Sequence, residues 1–283
     1  MAFFHRKLYQ QKPKQWGPRS QVEAAVRDYF ENRLGMIGPT LMLPVIEGGG
    51  NVLYNYGSNL FNPFTISSPG ERMSGGLQFV SSYADTQSLF GITGYPFTLF
   101  ATIVPDTGYD TAGSIIGFYR YNSILREYNI AFSSQANLTY ALNAKGGGVT
   151  TAIQAAYNTV VFGKTQSIIG TFRSATDREF FIDGVSVGAD NTSVSDPVTT
   201  TCTETSIGRR GGSADAAYMR GIVQALGIVP AAFNSVQAAL LSAEPYAGIY
   251  PRSFPRYFPV SSSEPGTTSV PVFMNHYRQM RTT

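Results

Sequence analysis

Cysteine is almost missing. A single residue, Cys202, in 283 excludes an internal disulfide framework and a cysteine-built zinc site. Charge is scarce too. Asp, Glu, Lys and Arg together make 14% of the chain, so Ser, Thr, Asn and Gly must supply much of the surface. His5 and His276 are the two histidines, one near each end, which leaves the body without a base for Ser-His or Cys-His catalysis. No apolar run approaches membrane-spanning length, and the opening MAFFHRKLYQQKPK lacks the apolar stretch of a signal peptide. The expectation is a protein made in a cytoplasm and not exported by the usual route.

Apolar residues reach 43%, aromatics 13%, and there are 29 glycines, enough for one large β domain with appendages. The net charge of +3 conceals a split. Residues 1–22 carry five Lys/Arg and no acid, and residues 245–283 carry four Arg and Glu264. Removing these from 21 basic and 18 acidic residues leaves 12 and 17 for 23–244, so an acidic body of −5 lies between tails totalling +8. Such tails suit arms that grip an acidic neighbour. The arm residues are Arg6, Lys7, Lys12, Lys14, Trp16 and Arg19 at the front, and Arg252, Phe254, Arg256, Tyr257 and Phe258 at the back.

Ser20 and Glu23 form a capping-box pattern, and Gly35 marks a stop. Between them Val22, Ala25, Val26, Tyr29, Phe30 and Leu34 share one face, which predicts an amphipathic helix needing its own body or another subunit as partner. From residue 51 short alternating strands separated by turns predict a sandwich. They are Leu77–Tyr83, Phe97–Val104, Ser114–Tyr121, Glu127–Phe132, Asn137–Leu142, Ser167–Phe172, Arg178–Ile182, Val185–Gly188, Glu204–Gly208 and Met219–Val229. A late helix is expected after Asn234, lined by Val236, Leu240 and Leu241 and stopped by Pro245. The division is a basic arm plus helix (1–47), a sandwich (48–244) and an extended Pro/Arg/aromatic arm (245–283).

The order of FTLFATI (97–103), SIIGTF (167–172), FFIDG (180–184), SIGRR (206–210) and GIVQALGI (221–228) resembles laminin G-like, concanavalin A-like jelly rolls over about residues 75–259. That resemblance implies an all-β antiparallel jelly-roll sandwich. The basic start, jelly roll and Pro/Arg exit together resemble structural proteins of tailed bacteriophages, where such domains sit on heads, tails or fibres. This implies a virion component, assembled in the host cytoplasm. Its partners would be capsid or tail subunits, in a homo-oligomer or other multi-copy arrangement, with no membrane and no expected nucleic acid.

The fold also hosts β-glucanases, whose Glu-x-Asp-x-x-Glu strand sets acid and nucleophile on one face. No such run occurs here. In REFFIDGVSVGADN (178–191), Glu179 lacks a companion and Asp183-Gly184 reads as a two-residue hairpin turn. Neither Gly48–Gly50 nor Gly146–Gly148 carries the Lys-Ser/Thr of a phosphate loop. Arg209-Arg210-Gly211-Gly212 reads as an exposed turn. The loop acids Asp106, Asp110, Asp177, Asp190, Asp196 and Asp215 form no diagnostic cluster, so no metal and no cofactor are expected, calcium being the disfavoured alternative. The sequence reading is therefore of a non-enzymatic virion protein, a decoration or tail-associated component, with no catalytic residues. The rival is a lectin-like module that binds host surface glycans through Tyr109, Tyr119, Tyr121, Asn122 and Tyr128, with Asn129 beside them.

Overall fold

The computed structural model describes residues 19–45, 52–59, 64–67, 72–73, 76–80, 82–107, 113–120, 123–134, 138–146, 149–156, 158–194, 202–209 and 218–246. Two antiparallel sheets face each other. Strands are numbered along the chain. Sheet A holds β1 (Leu41–Leu43), β4 (Arg72–Met73), β5 (Gly76–Phe79), β7 (Phe97–Pro105), β12 (Gln166–Ser174), β13 (Asp177–Ile182), β14 (Val185–Asp190) and β16 (Gly221–Val229). Its order is β14-β13-β12-β7-β16-β5-β4, and β1 also pairs with β16. Sheet B runs β11-β10-β9-β8-β15-β6-β3-β2. Its strands are β2 (Val52–Leu53), β3 (Phe64–Ile66), β6 (Ala84–Thr86), β8 (Ser114–Arg120), β9 (Ser123–Ser134), β10 (Thr139–Gly146), β11 (Val149–Gln154) and β15 (Glu204–Ile207). No helix of the described residues is long and apolar enough to cross a membrane.

Alternation decides which side chains fill the space between the sheets. Phe97, Leu99, Ala101 and Ile103 of β7 enter one buried cluster with Phe118, Tyr128, Ile130 and Phe132 of β8 and β9. The residues between them on β7 face outward, where Phe100 joins a second cluster with Ile169 and Phe181. Two helices complete that second cluster: α1 (Arg19–Asp28) and α2 (Ser235–Ala243). Helix α1 continues as a wider π turn through Tyr29–Arg33, and Gly35 at φ 64° ends it, as its position after Leu34 requires. The amphipathic helix thus packs on its own body, with Val22, Val26, Tyr29 and Phe30 buried against the outer face of sheet A. Segment 1–47 contributes α1 and β1 to the sandwich.

Three details differ from the sequence reading. Arg19 and Ser20 already lie inside α1, so Ser20 is not its N-cap. Leu241 is buried and Leu240 packs beside it as expected, but Val236 is 65% exposed and Ala238 fills the inner face of α2 in its place. Leu77–Tyr83, read as one strand, ends at Phe79, and the chain re-enters the other sheet as β6. The cap of α2 matches expectation: Asn234 and Gln237 exchange a reciprocal capping box.

The hairpin at 183–184 also matches. Asp183 (φ 50°) and Gly184 (φ 82°) both take the positive φ of a type I′ turn. Asp183 Oδ1 accepts the Ser167 amide at 2.8 Å, and a Cβ on Gly184 would meet Ala239 Cα of α2 at 2.8 Å. Glu179 accepts from Arg173 at 2.5 Å. It is held in an ion pair on the helix-bearing side of sheet A.

Candidate functional site

Both described helices lie on sheet A; on the outer face of sheet B the polar side chains cluster, although Ser206, Tyr119, Asn129, Glu127 and Glu204 at its centre are all buried. Its strands are in register, so one rung crosses all eight: Val52, Thr65, Asp85, Ser206, Gly117, Asn129, Asn143 and Ala152. A second rung two residues along carries Glu204, Tyr119, Glu127 and Lys145. Apolar residues on the same strands point into the core, so this face is polar by alternation. Gly117 is required there, since a Cβ would stand 2.3 Å from Asn129 Cβ.

The chemistry concentrates where β6, β8 and β15 meet. Beyond Ile207 the chain turns at Gly208, whose φ of 82° and close approach to the Phe79 ring (2.4 Å from a Cβ) exclude a larger residue. That turn sends Arg209 back over the face. Its guanidinium lies 3.4 Å from the centroid of the Tyr83 ring and forms a salt bridge with Asp85. The other oxygen of Asp85 accepts from Ser206 Oγ at 2.5 Å. Tyr218, bridged to Arg209 through the backbone, sets its ring 6.2 Å from that of Tyr83. Tyr83, Asp85, Arg209 and Tyr218 are all half-buried, so the cluster has an open side.

Glu204 makes this more than a structural ion pair. It is 4% exposed, and its Oε1 has no hydrogen-bond partner among the described residues. Burial, then the charge of Asp85, push its carboxyl up to about 6 against the opposing pull of Arg209. An acid raised in the folded state is easier to ionise after unfolding, so stability falls as pH rises from about 4.5 to about 6. Arg209 Nε and Ser82 Oγ are likewise buried without partners. Buried polar atoms are nearly always satisfied, so these three are exceptions, as are Tyr29 Oη, Ser242 Oγ and Glu244 Oε2 on the helix-bearing side.

Of the residues expected to bind sugar, Tyr119 and Tyr128 are the two whose side chains are described. Tyr119 and Tyr128 are both 0% exposed. Tyr128 points into the core, edge-on to Phe97 and Phe172, with its hydroxyl 3.1 Å from that of Tyr95. Tyr119 lies on the polar face, but its hydroxyl accepts from Asn129 (2.7 Å), whose carbonyl in turn accepts from Asn143 (2.7 Å). Tyr109, Tyr121 and Asn122 lie outside the described residues, as do Arg6, Lys7, Lys12, Lys14, Trp16, Arg252, Phe254, Arg256, Tyr257 and Phe258. Arg19 falls in the first turn of α1. Among the described residues no group of three or more His, Cys, Asp or Glu could hold a metal. Asp177 and Asp190 are engaged by Arg173 (3.2 Å) and Arg178 (2.7 Å).

The sequence reading missed Tyr83, Asp85 and Glu204. The alternation of Glu204 and Ser206 is visible, but their partner strand β6 has only three residues and lies beyond the strand read over Leu77–Tyr83. Arg209, read as part of an exposed turn, is held by Asp85 and Tyr83.

No family model and no curated protein matches the sequence. Solved structures do. One is Trypanosoma rangeli sialidase in complex with sialic acid, at 15% identity and TM-score 0.56, covering 72% of this chain and 32% of that one. Another is a mutant of Trypanosoma rangeli sialidase displaying trans-sialidase activity, at 14% identity and TM-score 0.59, covering 82% and 38%. The chain thus spans about a third of the length of the sialidases it resembles, and the likeness is one of fold. It overturns the expectation that the chain is not an enzyme, since the two structures named are sialidases.

Proposed function

We propose that the chain is a saccharide-recognising module built on a laminin G-like, concanavalin A-like jelly roll and carried on a bacteriophage virion. The observation that supports recognition is the Tyr83–Asp85–Glu204–Arg209 cluster. It combines two part-buried tyrosine rings, Tyr83 already carrying the Arg209 guanidinium on one face, with charged groups fixed in orientation at a half-buried edge of the sheet. Arg209→Ala is the direct test. It breaks a half-buried ion pair with Asp85 and takes the guanidinium from the site, so a thermal melt must accompany the binding measurement. On an array of bacterial surface glycans the wild-type chain is expected to bind and Arg209→Ala to lose at least about tenfold in affinity, with an unchanged circular dichroism spectrum. Equal binding by the two proteins would refute the assignment.

The virion setting rests on the charge split of the sequence, tails of +8 flanking a body of −5. The arms would fix the module to acidic capsid or tail subunits. Deleting residues 1–18, which leaves α1 intact, is expected to release the protein from particles while the body stays folded. Sedimentation of particles carrying the truncated protein checks this, and full retention counts against the arm.

A further inference from the structure

Independently of the saccharide reading, we propose that the outer face of helix α2, flanked by Val185 and Ile37, is the surface on which a second copy of this chain docks across a two-fold axis. Val185, Val236 and Ile37 are the three most exposed large hydrophobic residues among those described, and the fold brings them to one place. Ala238 and Leu241 of α2 face the sheet, which turns Val236, Leu240 and Ala243 outward. The tip of the β13–β14 hairpin reaches one flank of the helix. There a Cβ on Gly184 would stand 2.8 Å from Ala239 Cα, and Val185 is the next residue. The end of α1 reaches the opposite flank, where Gln237 Nε2 donates to the Leu34 carbonyl at 2.9 Å, three residues before Ile37. Exposed apolar residues scattered singly need no explanation, but three bordering one uncharged helix mark a contact surface.

Charge identifies the occupant. From Gly221 to Ala243 the chain has no charged residue. The charges at the rim are paired within their own copy. Beside the start of α2, Arg173 bonds Glu179 at 2.5 Å and the Phe233 carbonyl at 3.1 Å. At its end Arg33 donates to Glu244 at 2.5 Å. A strongly acidic or basic partner gains nothing from such a face. Residues 23–244 carry −5, so two copies of the body repel each other and meet most easily where charge is absent. A two-fold axis sets each α2 against the other, with an apolar centre, a polar rim and no unpaired rim charge brought together. The nine-residue helix is about 14 Å long, which places the contact below the size of standard stable interfaces and its dissociation constant in the micromolar range.

Sedimentation equilibrium of the full chain, from about 1 to about 200 µM, tests the contact. The buffer holds about 0.5 M salt, which screens any attraction between the basic tails of one copy and the acidic body of another. Wild type is expected to dimerise. Val236→Asp is expected to raise the dissociation constant at least about tenfold, because packed helices lie about 8–10 Å apart and the two-fold then opposes two carboxylates in apolar surroundings. The variant should keep its fold, since Val236 is exposed in the first turn of α2, where an acid favours the helix dipole. Its melting temperature should equal or exceed that of wild type. A wild type that stays monomeric across the range overturns the proposal, and so does a dimer that Val236→Asp leaves equally tight. A dimer present at low salt alone belongs to the tails and overturns it as well.

Discussion

Arg178→Ala is expected to lower the free energy of unfolding by roughly 3 kcal/mol, toward the lower end of what losing one partner of a buried ion pair costs. Arg178 is 1% exposed and sits at the rim of sheet A with its side chain directed inward. Its guanidinium donates to Asp190 (2.7 Å), to the carbonyl of Ala175 (2.9 Å) and to that of Thr192. Alanine leaves all three acceptors facing a cavity. The lower end applies because the Asp190 side chain keeps 18% exposure, so water reaches the orphaned carboxylate. The urea midpoint at pH 7 measures the loss.

The pH dependence of that loss identifies its origin. Burial raises the Asp190 carboxyl, but the bonds from Arg178 and the Thr192 amide outweigh it and hold the group well below the ordinary carboxylate range. A depressed folded-state pKa contributes stability that is complete above the unfolded value, near pH 4, and is lost as pH falls further. The gap between wild type and Arg178→Ala should therefore be constant from pH 7 to about 5 and narrow below about 4. A gap independent of pH down to 2 would assign the loss to packing alone.

Phe97→Ala is expected to cost roughly 3–5 kcal/mol, the range for removing a fully buried aromatic side chain. Phe97 is 0% exposed and belongs to β7 in the middle of sheet A. Its ring stacks on Phe172 at 4.6 Å and meets Phe118 and Tyr128 of sheet B edge-on at 5.5 and 5.9 Å. One side chain thus ties the two sheets together, and no neighbour can collapse into its space without leaving another. Denaturant unfolding should show a shifted midpoint with an unchanged slope. Phe97→Leu, which retains most of the volume, should lose less than half as much.

The two-sheet architecture was legible because short apolar, β-branched and aromatic runs recur between turn signals. FTLFATI and SIIGTF are buried on both faces, one against the other sheet and one under the helices, and Asp183-Gly184 takes the turn its chemistry demands. Short strands escaped. β1, β2, β3 and β4 have two or three residues each, too few for a period, and exist because longer strands offer them an edge. The tyrosines mislead for a related reason. At alternating positions a tyrosine can belong to either side of a strand until the register is known, and both Tyr119 and Tyr128 are buried. Asp85 and Arg209, 124 residues apart, meet only through strand pairing.

Strand β16 gives sheet A a timetable. One of its edges pairs with β7, while the other is divided, its first residues going to β5 and its last to β1. Three segments scattered from residue 41 to residue 105 thus wait for one that leaves the ribosome after residue 220. Closing such long loops costs entropy before any pairing rewards it. The chain should accordingly gain its protease-resistant body late and all at once, soon after β16 and α2 emerge, instead of growing sheet by sheet from the N-terminus.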